Sequence, residues 1–237
     1  MKKTTTIAVC AVLLCIAGAW YAAVRYTMSV HSDKIWTRQC DTLACAESAS
    51  GCYLVDVYVQ PDGMPVVMRS VDTTDVVPID SHLRYLGENP QGKLWMRLHG
   101  LTDGNMNPFI KSFGYKGWTF GVRDSQFVLE SSDWGLLGVL TKYRLCVACE
   151  LVADDPSDLT PRQQDSVVTR LNRVVESGRV SAIDMPCGWY GILRRQYRNR
   201  DLRFFVRVPG MSPWRVMCSP TMWHMLSDGQ VRGIVEE

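Results

Sequence analysis

From residue 34 onward the chain alternates short, nearly unbroken apolar runs with longer stretches of helical periodicity. The runs Lys34–Arg38, Tyr53–Val59, Leu94–His99, Phe127–Ser131, Arg144–Leu151, Val180–Met185, Leu202–Val208 and Val231–Val235 have the length and bulky apolar content of strands. Pro61-Asp62-Gly63 is a turn signal, and Met64–Arg69 returns from it as a hairpin partner of Tyr53–Val59. Helices are expected between the strands: over Asp41–Ser50, from His99 through about Phe113, and over Trp134–Leu140, Tyr190–Tyr197 and Pro213–Leu226. Another opens at Thr160-Pro161 and places Val167, Val168, Leu171, Val174 and Val175 on one face. With the hairpin return set aside, eight strands alternate with helices. That rhythm implies a parallel sheet, and the count predicts a closed (β/α)8 TIM barrel over residues 29–237, with an open doubly wound sheet as the alternative. No repeat, low-complexity tract or linker divides this stretch.

The first 28 residues read differently. Lys2 and Lys3 precede a Thr run, and Ile7 to Val24 carries no charge. This is long enough to cross a bilayer as a helix. Two readings stay open: an uncleaved anchor running through Trp20 and Tyr21, or a signal peptide cleaved near Ala17-Gly18-Ala19. In both, the two lysines stay cytoplasmic and the barrel is exported; the anchor reading gives a single-pass protein of the cell membrane, held through residues 7–24.

Composition narrows the class. Of 237 residues, 46% are hydrophobic and 21% charged, which excludes a disordered chain. With 26 Lys+Arg against 24 Asp+Glu the net charge is +2, and no basic field marks nucleic acid as a partner. Nine cysteines are present, seven of them beyond residue 30. Cys40, Cys45 and Cys52 are close enough for one local disulfide, with the pair left open. Cys146 and Cys149 lie in the strand-like YRLCVACELV, and no second CxxC completes a zinc site, so buried apolar thiols are expected there.

The run YLVDVYVQPDGMPVVMRS resembles the second strand and hairpin of the glycerophosphodiester phosphodiesterases and the wider phospholipase-C-like phosphodiesterase superfamily. Asp56, Asp62-Gly63 and Pro65-Val66-Val67 match its pattern of an acidic-x-Asp strand, an Asp-Gly turn and a Pro-Val-Val run. KLWMRLHGLTDGN resembles the third barrel strand, FVLESSD the fourth and VRGIVEE the closing one, so the resemblance spans about residues 34–237. It implies a barrel in which a histidine pair moves protons while strand-end carboxylates hold Mg²⁺ or Ca²⁺ against the phosphate.

This chain departs from that set. Arg38 stands where the first His is expected, Leu54 where the first acid belongs, and Arg69 where a His follows Pro-Val-Val. Arg97 replaces the third-strand acid, and His99 the lysine after it. An arginine stays protonated and is no general base. Asp56 and Glu130 remain as metal candidates, and Asp56 and His99 as residual catalytic candidates. No cofactor is expected unless the chain is a divergent active phosphodiesterase, in which case a divalent cation is. The other expectation is a catalytically silent barrel in which Arg38, Arg69, Arg97 and His99 bind a phosphate- or carboxylate-bearing small molecule or lipid head group without metal. Opposed to it stands a charge-balanced barrel end, in which Asp56, Glu130, Glu150 and Asp184 pair with the arginines. His31, His82 and His224 read as surface or packing residues, and Trp118, Trp134, Trp189, Trp214 and Trp223 as barrel packing. The basic stretch Arg194–Arg200 reads as a solvated helix end, with contact to anionic lipid as the alternative.

Overall fold

Strand and helix follow each other along the chain as βα units. The structure, a computed structural model, describes residues 2–37, 40, 42, 44–45, 52–68, 76–140, 146–178, 180–198 and 200–236. The strands are β1 (Ile35–Thr37), β2 (Cys52–Val59), β3 (Pro65–Met68), β4 (Val76–Pro78), β5 (Lys93–His99), β6 (Phe127–Ser131), β7 (Cys146–Glu150), β8 (Ala182–Pro186), β9 (Arg203–Val208) and β10 (Val231–Glu236). The helices are α1 (Lys2–Val30), α2 (Asp80–Glu88), α3 (Asp103–Thr119), α4 (Trp134–Leu140), α5 (Pro161–Glu176), α6 (Tyr190–Gln196), α7 (Pro213–Cys218) and α8 (Pro220–Ser227). The sheet runs β1-β10-β9-β8-β7-β6-β5-β2, all parallel, with β3 and β4 appended antiparallel beyond β2. β1 also pairs with β2, through Thr37 opposite Tyr53, and this contact brings the two ends of the eight-stranded run together. The fold is a (β/α)8 TIM barrel with an apolar helix before it.

Alternation along each strand divides the core in two. Leu54, Trp95, Val128, Ala148, Ala182, Phe205 and Val235 form a separate buried cluster inside the ring, where Trp95 and Phe205 meet at 4.5 Å between ring centroids. Their neighbours, among them Val55, Met96, Leu129, Ile183 and Val206, face outward into a larger core shared with Leu83, Phe109, Leu137, Leu171 and Leu226 of the helices. Both faces being buried is why the strands read as continuous apolar runs rather than alternating ones.

Local sequence sets the boundaries. Thr102 and Asn105 form a capping box at the start of α3, as do Thr160 and Gln163 at the start of α5, where Pro161 takes the first turn. α3 runs six residues beyond the expected end near Phe113. The single helix expected over Pro213–Leu226 is two: Pro220 has no N–H to continue α7, and Ser219 caps α8 by accepting from the Met222 amide. β4 and α2 were not legible as elements. The helix expected over residues 41–50 lies largely outside the described residues; at its start Cys40 and Cys45 form a disulfide.

α1 is long and apolar enough to cross a membrane. From Ile7 to Ala19 it is exposed, but its second half docks on the barrel. Val24 is fully buried, and Trp20 and Tyr21 stack at 5.3 and 5.1 Å on Trp223 and Trp214. Trp20 Nε1 donates to the Met217 carbonyl at 3.2 Å. Further down, Lys34 Nζ donates to the Leu226 and Asp228 carbonyls at 3.1 and 2.9 Å. Among the tryptophans expected to pack the barrel, Trp189 is fully buried, whereas Trp118 and Trp214 are 79% and 60% exposed. Trp118 sits in the last turn of α3 and Trp214 in the first turn of α7.

Candidate functional site

Two residues beyond the inner apolar layer, the same strands carry Asp56, Arg97, Glu130, Glu150, Asp184 and Arg207. Register aligns Asp56 with Arg97 and Arg97 with Glu130, and separately Glu150 with Asp184. The inner side of the barrel therefore changes from hydrocarbon to charge near the strand ends, the end we call the mouth. Arg97 is buried in the middle of this layer. Its Nε donates to Glu130 Oε1 and lies 3.6 Å from Glu150 Oε1, and its Nη2 donates to Asp184 Oδ2 at 3.1 Å. Arg207 completes the layer, with Nη1 donating to Glu150 Oε1 at 3.3 Å, Nη2 to the Leu151 carbonyl at 2.6 Å, and Nε 3.4 Å from Asp184 Oδ2.

Two guanidinium groups face three carboxylates, which leaves one excess negative charge if all are ionised. Glu130 and Asp184 are fully buried. Burial, reinforced by Asp184 and only partly countered by Arg97, lifts the Glu130 carboxyl well above its ordinary range. Burial also raises Asp184, against the pull of Arg207 and Arg97. Arg97 is held above its usual value: burial alone would lower it, and Glu130, Glu150 and Asp184 together outweigh that. Glu130 Oε2 and Asp184 Oδ1 have no donor among the described residues, and the upward shift of both carboxyls favours retention of a proton by the pair, which would neutralise the layer.

A pH prediction follows from that proton. An acid raised in the folded state keeps its proton after the unfolded chain has released it, so this group costs stability progressively as pH rises above the ordinary carboxyl range. Glu130→Gln mimics the protonated form. In thermal melts from pH 5 to pH 8 the variant should gain on the parent as pH rises. A difference independent of pH would show that Glu130 is ionised in the fold.

At the rim, His99 Nε2 lies 2.9 Å from Asp56 Oδ1, and the His99 side chain is 45% exposed. Asn105 fixes this corner. Its Nδ2 donates to the Gln60 and Gly100 carbonyls at 3.1 and 2.9 Å, and its Oδ1 accepts from the Thr102 amide at 2.7 Å. One buried amide thus ties the ends of β2 and β5 to the start of α3. Gly100 lets the chain turn there: its φ is +69°, and a Cβ would stand 2.7 Å from the Tyr58 ring.

Of the residues singled out in the sequence, Asp56, Arg97, His99 and Glu130 come to one end of the barrel; Arg38 and Arg69 lie outside the described residues. Arg97 points down into the carboxylates and His99 up toward solvent. Glu150 and Asp184 surround Arg97. Arg207 was missed, although its place two residues after the inward Phe205 gives it the same facing. His82 is buried against the Tyr53 ring, and His224 lies 3.3 Å from the Tyr190 hydroxyl beside the Arg194–Asp228 pair, so neither belongs to the mouth. Cys149 is buried in β7 with its thiol pushed up by burial, which makes it unreactive.

Carboxylate oxygens of Glu130, Glu150 and Asp184 lie within 4.8 Å of one another, close enough to hold a divalent cation. The groups around them do not fit one. Arg97 already occupies the space between the three carboxylates, Arg207 bonds two of them from the other side, and a cation would be repelled by both. Leu54, in the hydrocarbon layer below, offers no ligand.

Together the closed ring, the β2–β3 hairpin at its mouth and the helix order define a TIM barrel with two antiparallel strands appended beyond its second strand. No family profile matches the chain, and no curated protein does. Solved structures do match. One, assigned as a glycerophosphoryl diester phosphodiesterase of Silicibacter pomeroyi, superposes with a TM-score of 0.59 at 14% identity, over 86% of this chain and 89% of that one. A glycerophosphodiester phosphodiesterase of Parabacteroides distasonis gives 0.58 at 12% identity, over 86% and 92%. A phosphodiesterase of Oleispira antarctica, solved with its product sn-glycerol-3-phosphate, gives 0.53 at 10% identity, over 86% and 92%. At these identities the likeness is one of fold.

Proposed function

We propose that this chain is a membrane-tethered, exported barrel of the glycerophosphodiester phosphodiesterase fold that binds an anionic, phosphate- or carboxylate-bearing ligand at its mouth and has lost metal-dependent hydrolysis. The observation that carries this reading is the position of Arg97, whose guanidinium stands among Glu130, Glu150 and Asp184 as their permanent counter-ion. A fixed organic cation neutralises those carboxylates, but it offers no open coordination position for a phosphate oxygen and no bound water to ionise. Because the carboxylates engage Arg97, anion binding falls to His99 at the rim and to Arg38 and Arg69, which sequence resemblance places at neighbouring strand ends. The exposed apolar half of α1 supports the tether, and Lys2 and Lys3 before it support export of the barrel.

The alternative, a divergent active phosphodiesterase, has one observation in its favour. His99 held by Asp56 is the arrangement of a histidine oriented for proton transfer. Hydrolysis of glycerophosphodiesters by the full chain, with and without Mg²⁺ or Ca²⁺, separates the two. The expected result is no metal-dependent turnover above the buffer blank, together with metal-independent binding of sn-glycerol-3-phosphate that weakens in Arg69→Ala. Robust metal-dependent turnover that vanishes in Asp56→Ala would establish the enzyme instead.

A further inference from the structure

The direction in which α1 leaves the barrel fixes which end of the barrel meets the membrane. Strands run from base to mouth, so the helices after them run back from mouth to base, and α7 and α8 make that return between β9 and β10. α1 lies beside them in the same sense. Trp20 and Tyr21 meet Trp214, Met217 and Trp223, while Lys34 meets Leu226 and Asp228, just before β10 begins. Traced backward from Val30 to Trp20, α1 therefore climbs from base to mouth. It is one unbroken helix from Lys2 to Val30, so Ile7 to Ala19 continue past the mouth for about 20 Å at 1.5 Å per residue. Apolar side chains along this projection, from Ile7 to Ile16, are exposed.

The rim at that end matches a head-group layer. Tyr58 ends β2, Met64 follows the β2–β3 turn, Val152 follows β7, and Trp214 opens α7; all four are exposed. Trp20, Tyr21 and Trp214 together make an aromatic group where the projecting helix meets the barrel, the position such residues take at a bilayer surface. Arg215, exposed beside Trp214, adds a cation at the same level. Arg194 and Arg195 lie in the last turn of α6, at the base, as does Trp118 at the end of α3.

We infer that the barrel is held mouth-down on the bilayer by α1, with Tyr58, Met64, Val152 and Trp214 in the head-group layer, so that the ligand reaching Asp56 and His99 is the phosphate-bearing head group of a membrane lipid. The inference rests on the tethered reading of α1, and the test separates the two. Full-length chain is reconstituted into phosphatidylcholine–phosphatidylglycerol vesicles carrying brominated acyl chains, and tryptophan quenching is compared among the parent, Trp20→Phe, Trp214→Phe and Trp118→Phe. Trp214 and Trp118 are both largely exposed, so neither exchange disturbs the core. The expected result is that quenching falls in Trp20→Phe and Trp214→Phe and is unchanged in Trp118→Phe. Loss in Trp20→Phe with no change in Trp214→Phe, or with loss in Trp118→Phe, keeps the tether but overturns the mouth-down orientation. Absence of quenching in the parent overturns the tether, and the orientation with it.

Discussion

Arg97→Met should unfold the barrel at a markedly lower denaturant concentration than the parent. The substitution keeps much of the side-chain volume but takes from the fully buried Glu130 the cation it bonds, and leaves Glu150 and the fully buried Asp184 to Arg207. Removing one partner from a buried ionic cluster costs about 3–5 kcal/mol, which for a domain of this size lowers Tm by about 10 °C. A second effect follows from the same geometry. With the guanidinium gone, the three carboxylates that lie within 4.8 Å of one another lose one of the two cations that repel a metal. Millimolar Ca²⁺ should then raise the Tm of Arg97→Met and leave the parent unchanged. If Arg97→Met melts with the parent, the guanidinium is not the counter-ion of the layer, and the argument against a metal in the parent fails with it.

Trp95→Ala should be of similar severity for a different reason. Trp95 is fully buried inside the ring against Phe205, in a layer with only small partners at Ala148 and Ala182. Its loss leaves a void that no neighbouring side chain reaches across, and a buried Trp→Ala exchange costs about 3–5 kcal/mol. The void also lies directly beneath Arg97, two residues further along β5, so the ionic layer loses its floor. Urea unfolding should show a lower midpoint with an unchanged slope, and Trp95→Phe should recover most of the loss. A midpoint for Trp95→Ala within error of the parent would mean that the ring is not filled as described.

Much of the barrel was legible because parallel strands buried on both faces leave apolar runs that the surrounding helices do not. Pro61-Asp62-Gly63 announced the β2–β3 hairpin and Thr160-Pro161 the start of α5. β4 is not legible because it is only three residues long, and α2 because it carries its buried face on only His82, Leu83 and Leu86. The apolar spacing continues across Pro220 and so predicts one helix there, although its missing N–H divides α7 from α8. The exposed Trp118 and Trp214 show the limit of composition, which counts large apolar residues without saying which lie inside. At the site, alternation placed Asp56, Arg97 and Glu130 at strand ends. What spacing along one strand does not encode is that Arg97, Glu130, Glu150, Asp184 and Arg207, drawn from five strands and 110 residues of chain, point at one another; ring closure decides that.

That closure has a consequence in time. β1 is three residues long and joins the ring by pairing with β10 on one side and through a single register pair with β2 on the other. The first strand made waits for the last. Until Val231–Glu236 is synthesised, the growing chain carries two open parallel edges, at β1 and β9, and closing them brings together segments almost 200 residues apart in sequence. Such distant contacts form late and slowly, and unpaired edges are the sites at which chains associate wrongly. Once Trp214–Asp228 have been made, the docked half of α1 holds β1 close to where β10 must arrive. The apolar segment that precedes the barrel is thereby also a clamp on its seam, and a chain deprived of Trp20–Val30 should accumulate in an open, aggregation-prone form even where its eight strands are intact.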